Sequence, residues 1–103
     1  MTKVGVSELA EWREMPAQTA LIALADYTKP DMTFTPLKDK ATSRWYATVD
    51  GRDFELLVTG PKFFDTRAKV GGGGAIDLAM HLLRIDFRDA VEHLRRLKMR
   101  GHL

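Results

Sequence analysis

The chain has 103 residues, 45% of them apolar and 29% charged, with no cysteine and a formal net charge of +2. That length holds one hydrophobic core rather than two, and the composition excludes disorder of the low-hydrophobicity, high-charge kind. The absence of cysteine excludes a disulfide framework and a thiolate metal site, and no run reaches the roughly 18 apolar residues of a membrane span.

Residues 1–31 carry Lys3, Arg13 and Lys29 against Glu8, Glu11, Glu14, Asp26 and Asp31. Residues 84–102 carry Arg84, Arg88, Arg95, Arg96, Lys98 and Arg100 against Asp86, Asp89 and Glu92. The molecule is therefore acidic at its start and basic at its end. The basic run reads either as a solvated helix end whose cations complement the helix dipole or as a phosphate-contacting patch. Met1 to Gly5 leads into charge rather than an apolar signal core, so a cytoplasmic protein with no membrane association is expected.

In chain order, Ser7 is placed to cap a short helical turn through Glu11, Trp12 and Arg13. Pro16 suits the first turn of a second helix, Ala17 to Ala25, with Ala17, Leu21, Leu24 and Ala25 on one face. Thr28 to Asp31 stops it, because the residue before a proline resists the helical region. Trp45 to Val49 alternates as a strand, and Asp50-Gly51 is a type I′ hairpin signal. Phe54 to Thr59 returns with Phe54, Leu56 and Val58 on one face. Gly60-Pro61 turns the chain again, and Lys62 to Arg67 forms a third strand. A fourth strand fits near Met32–Pro36. The glycines 71–74 break the pattern, a helix follows over Ala75–Arg84, and Asp86 caps a last helix whose core stripe is Phe87, Ala90, Val91, Leu94 and Leu97. The expectation is a single α+β domain over 1–103: an N-terminal helical segment (1–31), a three- to four-stranded antiparallel sheet (44–67) and a C-terminal helical pair (75–98) packed on the sheet.

Three stretches carry a resemblance. They are Lys62-Phe63-Phe64-Asp65, then Gly71-Gly72-Gly73-Gly74-Ala75-Ile76-Asp77, then Asp86-Phe87-Arg88-Asp89-Ala90-Val91-Glu92-His93-Leu94. Together they resemble the zinc-binding domain of bacterial DNA primases, and more closely the cysteine-poor versions in plasmid and mobile-element primase-like proteins. In that family an aromatic strand runs through a Cys-x-x-Cys pair into a Gly-Gly-x-Ala-Ile-Asp helix. A second helix of the pattern Phe-x-x-Ala-Val-x-x-Leu follows. Agreement is strongest over 62–97. The second cysteine pair falls on Thr66 and Lys69, and the first Cys/His pair on the Asp39, Lys40 and Thr42 region, so the resemblance implies a zinc-free relative. Apolar packing must then replace the metal, and no cofactor is expected.

Arg44, Tyr46, Arg52, Lys62, Phe64, Arg67 and Lys69 interleave cations with aromatics on the expected sheet. Single strands are bound in this manner, with bases stacked on rings and phosphates tracked by cations. The resemblance implies contact with single-stranded template for the same sheet; the alternative is a solvated charged face. Gly72, Gly73 and Gly74 precede a helix start and have the parts of an anion site, although the alternative is close packing with Asp77 complementing the dipole. His81 follows Asp77 at the spacing of a helix-surface pair. Neither Ser7 nor Ser43 has the surroundings of an activated nucleophile, so an enzyme is not expected.

Two functions follow as expectations. The first is a single-stranded DNA-binding or primase-accessory module for a plasmid, phage or other mobile element, working with a Toprim primase, helicase or relaxase. The second is a protein-interaction module that regulates or inhibits such a partner, or self-associates, through the acidic segment bearing Trp12.

Overall fold

A computed structural model describes residues 3–103, which form four helices and five strands. Helix α1 (Val6–Glu14) and helix α2 (Ala17–Leu24) come first, followed by strand β1 (Tyr27–Pro30). Strands β2 (Ser43–Val49), β3 (Arg52–Thr59), β4 (Lys62–Asp65) and β5 (Val70–Gly73) complete an antiparallel meander in the order β1-β2-β3-β4-β5. Helices α3 (Ala75–Leu83) and α4 (Phe87–Met99) close the chain. The α+β architecture with a C-terminal helical pair on the sheet is as expected.

The two hairpin turns follow from their residues. Asp50 and Gly51 both take positive φ (50° and 77°), as a type I′ turn requires, and set Val49 opposite Arg52. At Gly60-Pro61 only the first turn residue, Gly60, has positive φ, and Thr59 faces Lys62. The Gly60 carbonyl accepts the Ala17 N–H at 2.8 Å, so this turn anchors the start of α2.

Four expectations about elements need correction. The sheet has five strands. The additional ones are Tyr27–Pro30 and Val70–Gly73, while 31–42, where a strand near Met32–Pro36 was expected, is a loop. Pro30 is tolerated because β1 is an edge strand. The glycines do not break the sheet. Gly71 to Gly73 pair with β4, where partner hydrogen bonds and the Phe63 ring outweigh weak strand propensity. Strand β4 ends at Asp65 rather than Arg67, because the Asp65 carboxylate accepts the N–H groups of Arg67 and Ala68 and turns the chain. Ser7 lies inside α1, whose N-cap is Gly5, and makes no cap.

Strand alternation sets Trp45, Ala47, Val49, Leu56, Val58 and Phe63 toward the helices. They meet Trp12, Leu21, Leu78, Leu82 and Leu94 in one core. Asp86 caps α4 by accepting the Asp89 N–H at 2.8 Å. The helix ends in a Schellman motif, with Gly101 at φ 79°, Gly101 N–H to the Lys98 carbonyl and His102 N–H to the Leu97 carbonyl. Phe87, expected in the core stripe, is 44% exposed and lines a surface pocket beside Leu9, Ile76 and Asp77.

The uneven charge has an internal use. Arg95 donates to both carboxylate oxygens of Glu8, at 2.8 and 2.6 Å, and Lys98 pairs with Glu11 at 2.5 Å. The acidic first helix thus lies against the basic last one. Trp12, expected as a partner anchor, is 1% exposed and belongs to the core.

Candidate nucleic-acid interface

The face of the sheet turned away from the helices carries Tyr46, Leu57, Lys62 and Phe64. Register places Arg44 opposite Leu57, Leu57 opposite Phe64, and Phe64 opposite Gly71. Loop 31–42 arches over one end of this face and encloses an apolar groove of about 420 Å³. Phe34, Pro36 and Leu37 of the loop form one wall, and Leu57 and Phe64 of the sheet form the other. Thr35, Thr42 and Thr59 add hydroxyls, and Lys38, Lys62 and Asp39 line the same groove.

Both ends of the loop are tied down. Asp31 accepts from Thr33 N–H (2.9 Å), Thr33 Oγ1 (2.6 Å), Arg44 Nε (2.8 Å) and Tyr46 OH (3.2 Å). The Thr33 hydroxyl and N–H, followed by Arg44, hold its carboxyl well below the usual carboxylate range. Arg44 also sits 5.0 Å over the Phe34 ring. At the other end the Asp39 carboxylate accepts Ala41 N–H, and Thr42 and Thr59 share a hydroxyl hydrogen bond at 2.7 Å.

The seven cations and aromatics expected to form one interface are therefore divided. Lys62 and Phe64 lie on the open face, with Phe64 42% exposed. Arg44 and Tyr46 share that face, but Asp31 engages their polar groups, so they position the loop. Arg52 is on the helix side and donates to the Leu82 carbonyl at 2.8 Å, because its strand position shares the face of Phe54 and Leu56. Arg67 and Lys69 occupy the β4–β5 turn, Lys69 with φ 59°. Sequence reasoning missed Phe34, Leu57 and Lys38; the available signal for the loop pair was the proline-punctuated run Phe34-Thr35-Pro36-Leu37-Lys38, which overlaps the strand expected near Met32–Pro36.

At the expected anion site of Gly72, Gly73 and Gly74, two of the three N–H groups are engaged within the chain. The Asp77 carboxylate accepts the Gly73 N–H at 3.2 Å, and the Pro61 carbonyl accepts the Gly74 N–H at 2.9 Å. Gly72 is paired to Phe63, whose ring lies 2.8 Å from where a Cβ would stand. Gly74 is required for a different reason: its φ is 90°, and a Cβ would sit 2.9 Å from the Arg13 Cα.

His81 does not pair with Asp77. Its Nε2 lies 2.7 Å from Asp65 Oδ2. The buried Asp65 carboxyl is raised by desolvation, but hydrogen bonds from Ala68 N–H, His81 and Arg67 N–H more than offset this and hold it below its ordinary value. Among the described residues no three His, Cys, Asp or Glu side chains are placed to hold a metal ion. Thr42 binds Thr59 while Thr66 binds Glu55, two attachment points about 13 Å apart along β3. No protein-family model, curated protein or solved structure matches this chain.

Proposed function

We propose that this chain is a single-stranded DNA-binding accessory module, serving replication or transfer of a plasmid, phage or other mobile element beside a Toprim primase, helicase or relaxase. The observation that carries the reading is the groove on the open face. There an exposed Phe64 ring adjoins Leu57 and Phe34, with Lys62 and Lys38 at the same groove. A base stacked on Phe64 leaves its phosphates within reach of the lysines, which is the division of labour single strands require. No catalytic step is part of the reading, and the primase resemblance over 62–97 supports its setting. Loop 31–42, pinned at Asp31 and Thr42, forms the wall across from the ring.

A second reading is a protein-interaction module, favoured by Met32 and Leu37, which stand 87% and 97% exposed on the loop. Anisotropy of a fluorescein-labelled oligothymidylate of about 15 nucleotides, at low salt, separates the two. The first reading expects binding that weakens about tenfold in Phe64→Ala and shows a shallower salt dependence in Lys62→Ala. No binding at tens of micromolar in low salt rejects it, since phosphate-driven affinity appears there first.

A further inference from the structure

A second basin lies on the helix side of the sheet, away from the groove. The start of β3, the β4–β5 turn and the end of α3 meet there around a depression of about 570 Å³. Arg52, Arg67 and Arg84 all line it. Backbone contacts hold the three elements together: Arg52 Nη2 donates to the Leu82 carbonyl at 2.8 Å, and Arg67 Nη1 to the Asp53 carbonyl at 3.4 Å. Phe54 and Met80 contribute apolar walls, and Arg52 stands over the Phe54 ring at 5.6 Å.

Two carboxylates, Asp53 and Asp65, also line the basin, but neither pairs with an arginine side chain. Asp53 Oδ1 accepts from Thr48 on the open face, and Asp65 holds the Arg67 and Ala68 N–H groups and His81. Among the described residues no ion pair includes Arg52, Arg67 or Arg84. Three arginines thus line one basin against two carboxylates, an excess of positive charge that an anion would offset. Each has five N–H donors, and Arg52 and Arg67 use one apiece in the contacts above, so planar forks remain for a tetrahedral oxyanion. Arg84 adds an independent sign. It takes φ 55° at the end of α3, a position where glycine is free of strain and an arginine is not.

We propose that the Arg52–Arg67–Arg84 basin binds a phosphate group, carried by a nucleotide or by the phosphorylated end of a strand. This site is separate from the groove and goes beyond the single-strand reading. The shared chemistry is bidentate guanidinium recognition of phosphate oxygens.

The test is amide chemical-shift titration of the whole chain at low ionic strength with inorganic phosphate, thymidine monophosphate, and a short oligothymidylate with or without a 5′-phosphate. The expected result is saturable movement of signals around residues 52, 67 and 84 in about the millimolar range. Movement by the mononucleotide and the phosphorylated strand assigns a nucleotide; movement by the phosphorylated strand but not its hydroxyl form or the mononucleotide assigns a strand end. Arg84→Gly removes the guanidinium while suiting the backbone, so it is expected to keep or raise the Tm and to weaken binding about tenfold. With inorganic phosphate and thymidine monophosphate, which need no groove, Phe64→Ala is expected to move the signals around residues 52, 67 and 84 as the parent does. Unmoved signals at about 10 mM of every probe overturn the proposal. So does wild-type titration by Arg84→Gly, or loss of the response to inorganic phosphate in Phe64→Ala.

Discussion

His81 of α3 closes on Asp65 of β4 at 2.7 Å, between the rings of Phe54 and Phe63 at 5.9 and 5.7 Å. The pair ties the central helix to the turn that launches β5. Asp65 is 3% exposed and also holds the Arg67 and Ala68 N–H groups. Removing the carboxylate takes the acceptor from the Arg67 and Ala68 N–H groups and the partner from the half-buried His81. Asp65→Ala is expected to lower stability by about 3–5 kcal/mol. Asp65→Asn keeps an acceptor and is expected to lose less. Urea unfolding followed by circular dichroism measures both; a near-neutral Asp65→Ala contradicts the assignment.

Acidification is expected to destabilise the fold in two stages. Desolvation, then Arg96 and Arg100, lower the His93 pKa, so the folded chain disfavours the charged imidazole. The stability tied to neutral His93 is complete above the unfolded-state value of about 6.5 and falls as pH drops below it. Asp65 and Glu8 also have folded values below their ordinary ones, so their contributions are complete above about pH 4.5 and fade as pH falls through the folded values. Thermal unfolding between pH 8 and about pH 3 reads the profile. His93→Gln should remove the first stage and leave the second.

Adjacent glycines of β5 are expected to respond oppositely to alanine. A Cβ at Gly72 stands 2.8 Å from two atoms of the Phe63 ring and 3.3 Å from Asp77 Cβ, so Gly72→Ala forces the core side of the sheet apart and destabilises by about 1–3 kcal/mol. A Cβ at Gly73 meets nothing within 4 Å and its φ is not left-handed, so Gly73→Ala gains about 0.4–1 kcal/mol through the unfolded chain. Paired denaturation curves decide the point, and equal effects refute it.

The link between the chain's ends should be local and sensitive to salt. Arg95 holds Glu8 with two hydrogen bonds and reaches the Lys3 carbonyl at 2.6 Å, yet both side chains are partly solvated. Arg95→Ala is expected to speed amide exchange in α1 while leaving the sheet's exchange unchanged, with the difference shrinking at high salt. Faster exchange throughout would show that the first helix is integral to the core's cooperativity. Trp12→Ala should do that: it opens a cavity under α1 and is expected to cost about 3–5 kcal/mol.

Much of the architecture follows from local chemistry. Trp45 to Val49, the Asp50-Gly51 turn and Phe54 to Val58 specify a hairpin by alternation and positive φ alone. Asp86 and the stripe Ala90, Val91, Leu94 specify the last helix by capping and period. The open face was legible in part, since alternation separates Phe64 from Phe63 and Tyr46 from Trp45.

Three further features depend on distant partners. Glycines 71–73 have no strand propensity to display, and they form a strand because β4 offers its edge and the Phe63 ring fills the side-chain space of Gly72. His81 shows Asp77 at helical spacing, but helix α3 turns it toward Asp65, sixteen residues away in sequence. Arg52 and Arg67 read as companions of Phe64; register and turn geometry send them to the other side of the sheet. Periodicity and capping operate over a few residues, so the sequence alone determined the hairpins, the last two helices and the alternation of the central strands. Pairing across tens of residues is resolved only when the backbone closes on itself, so tertiary structure alone decided the fifth strand, the groove and the separate arginine basin.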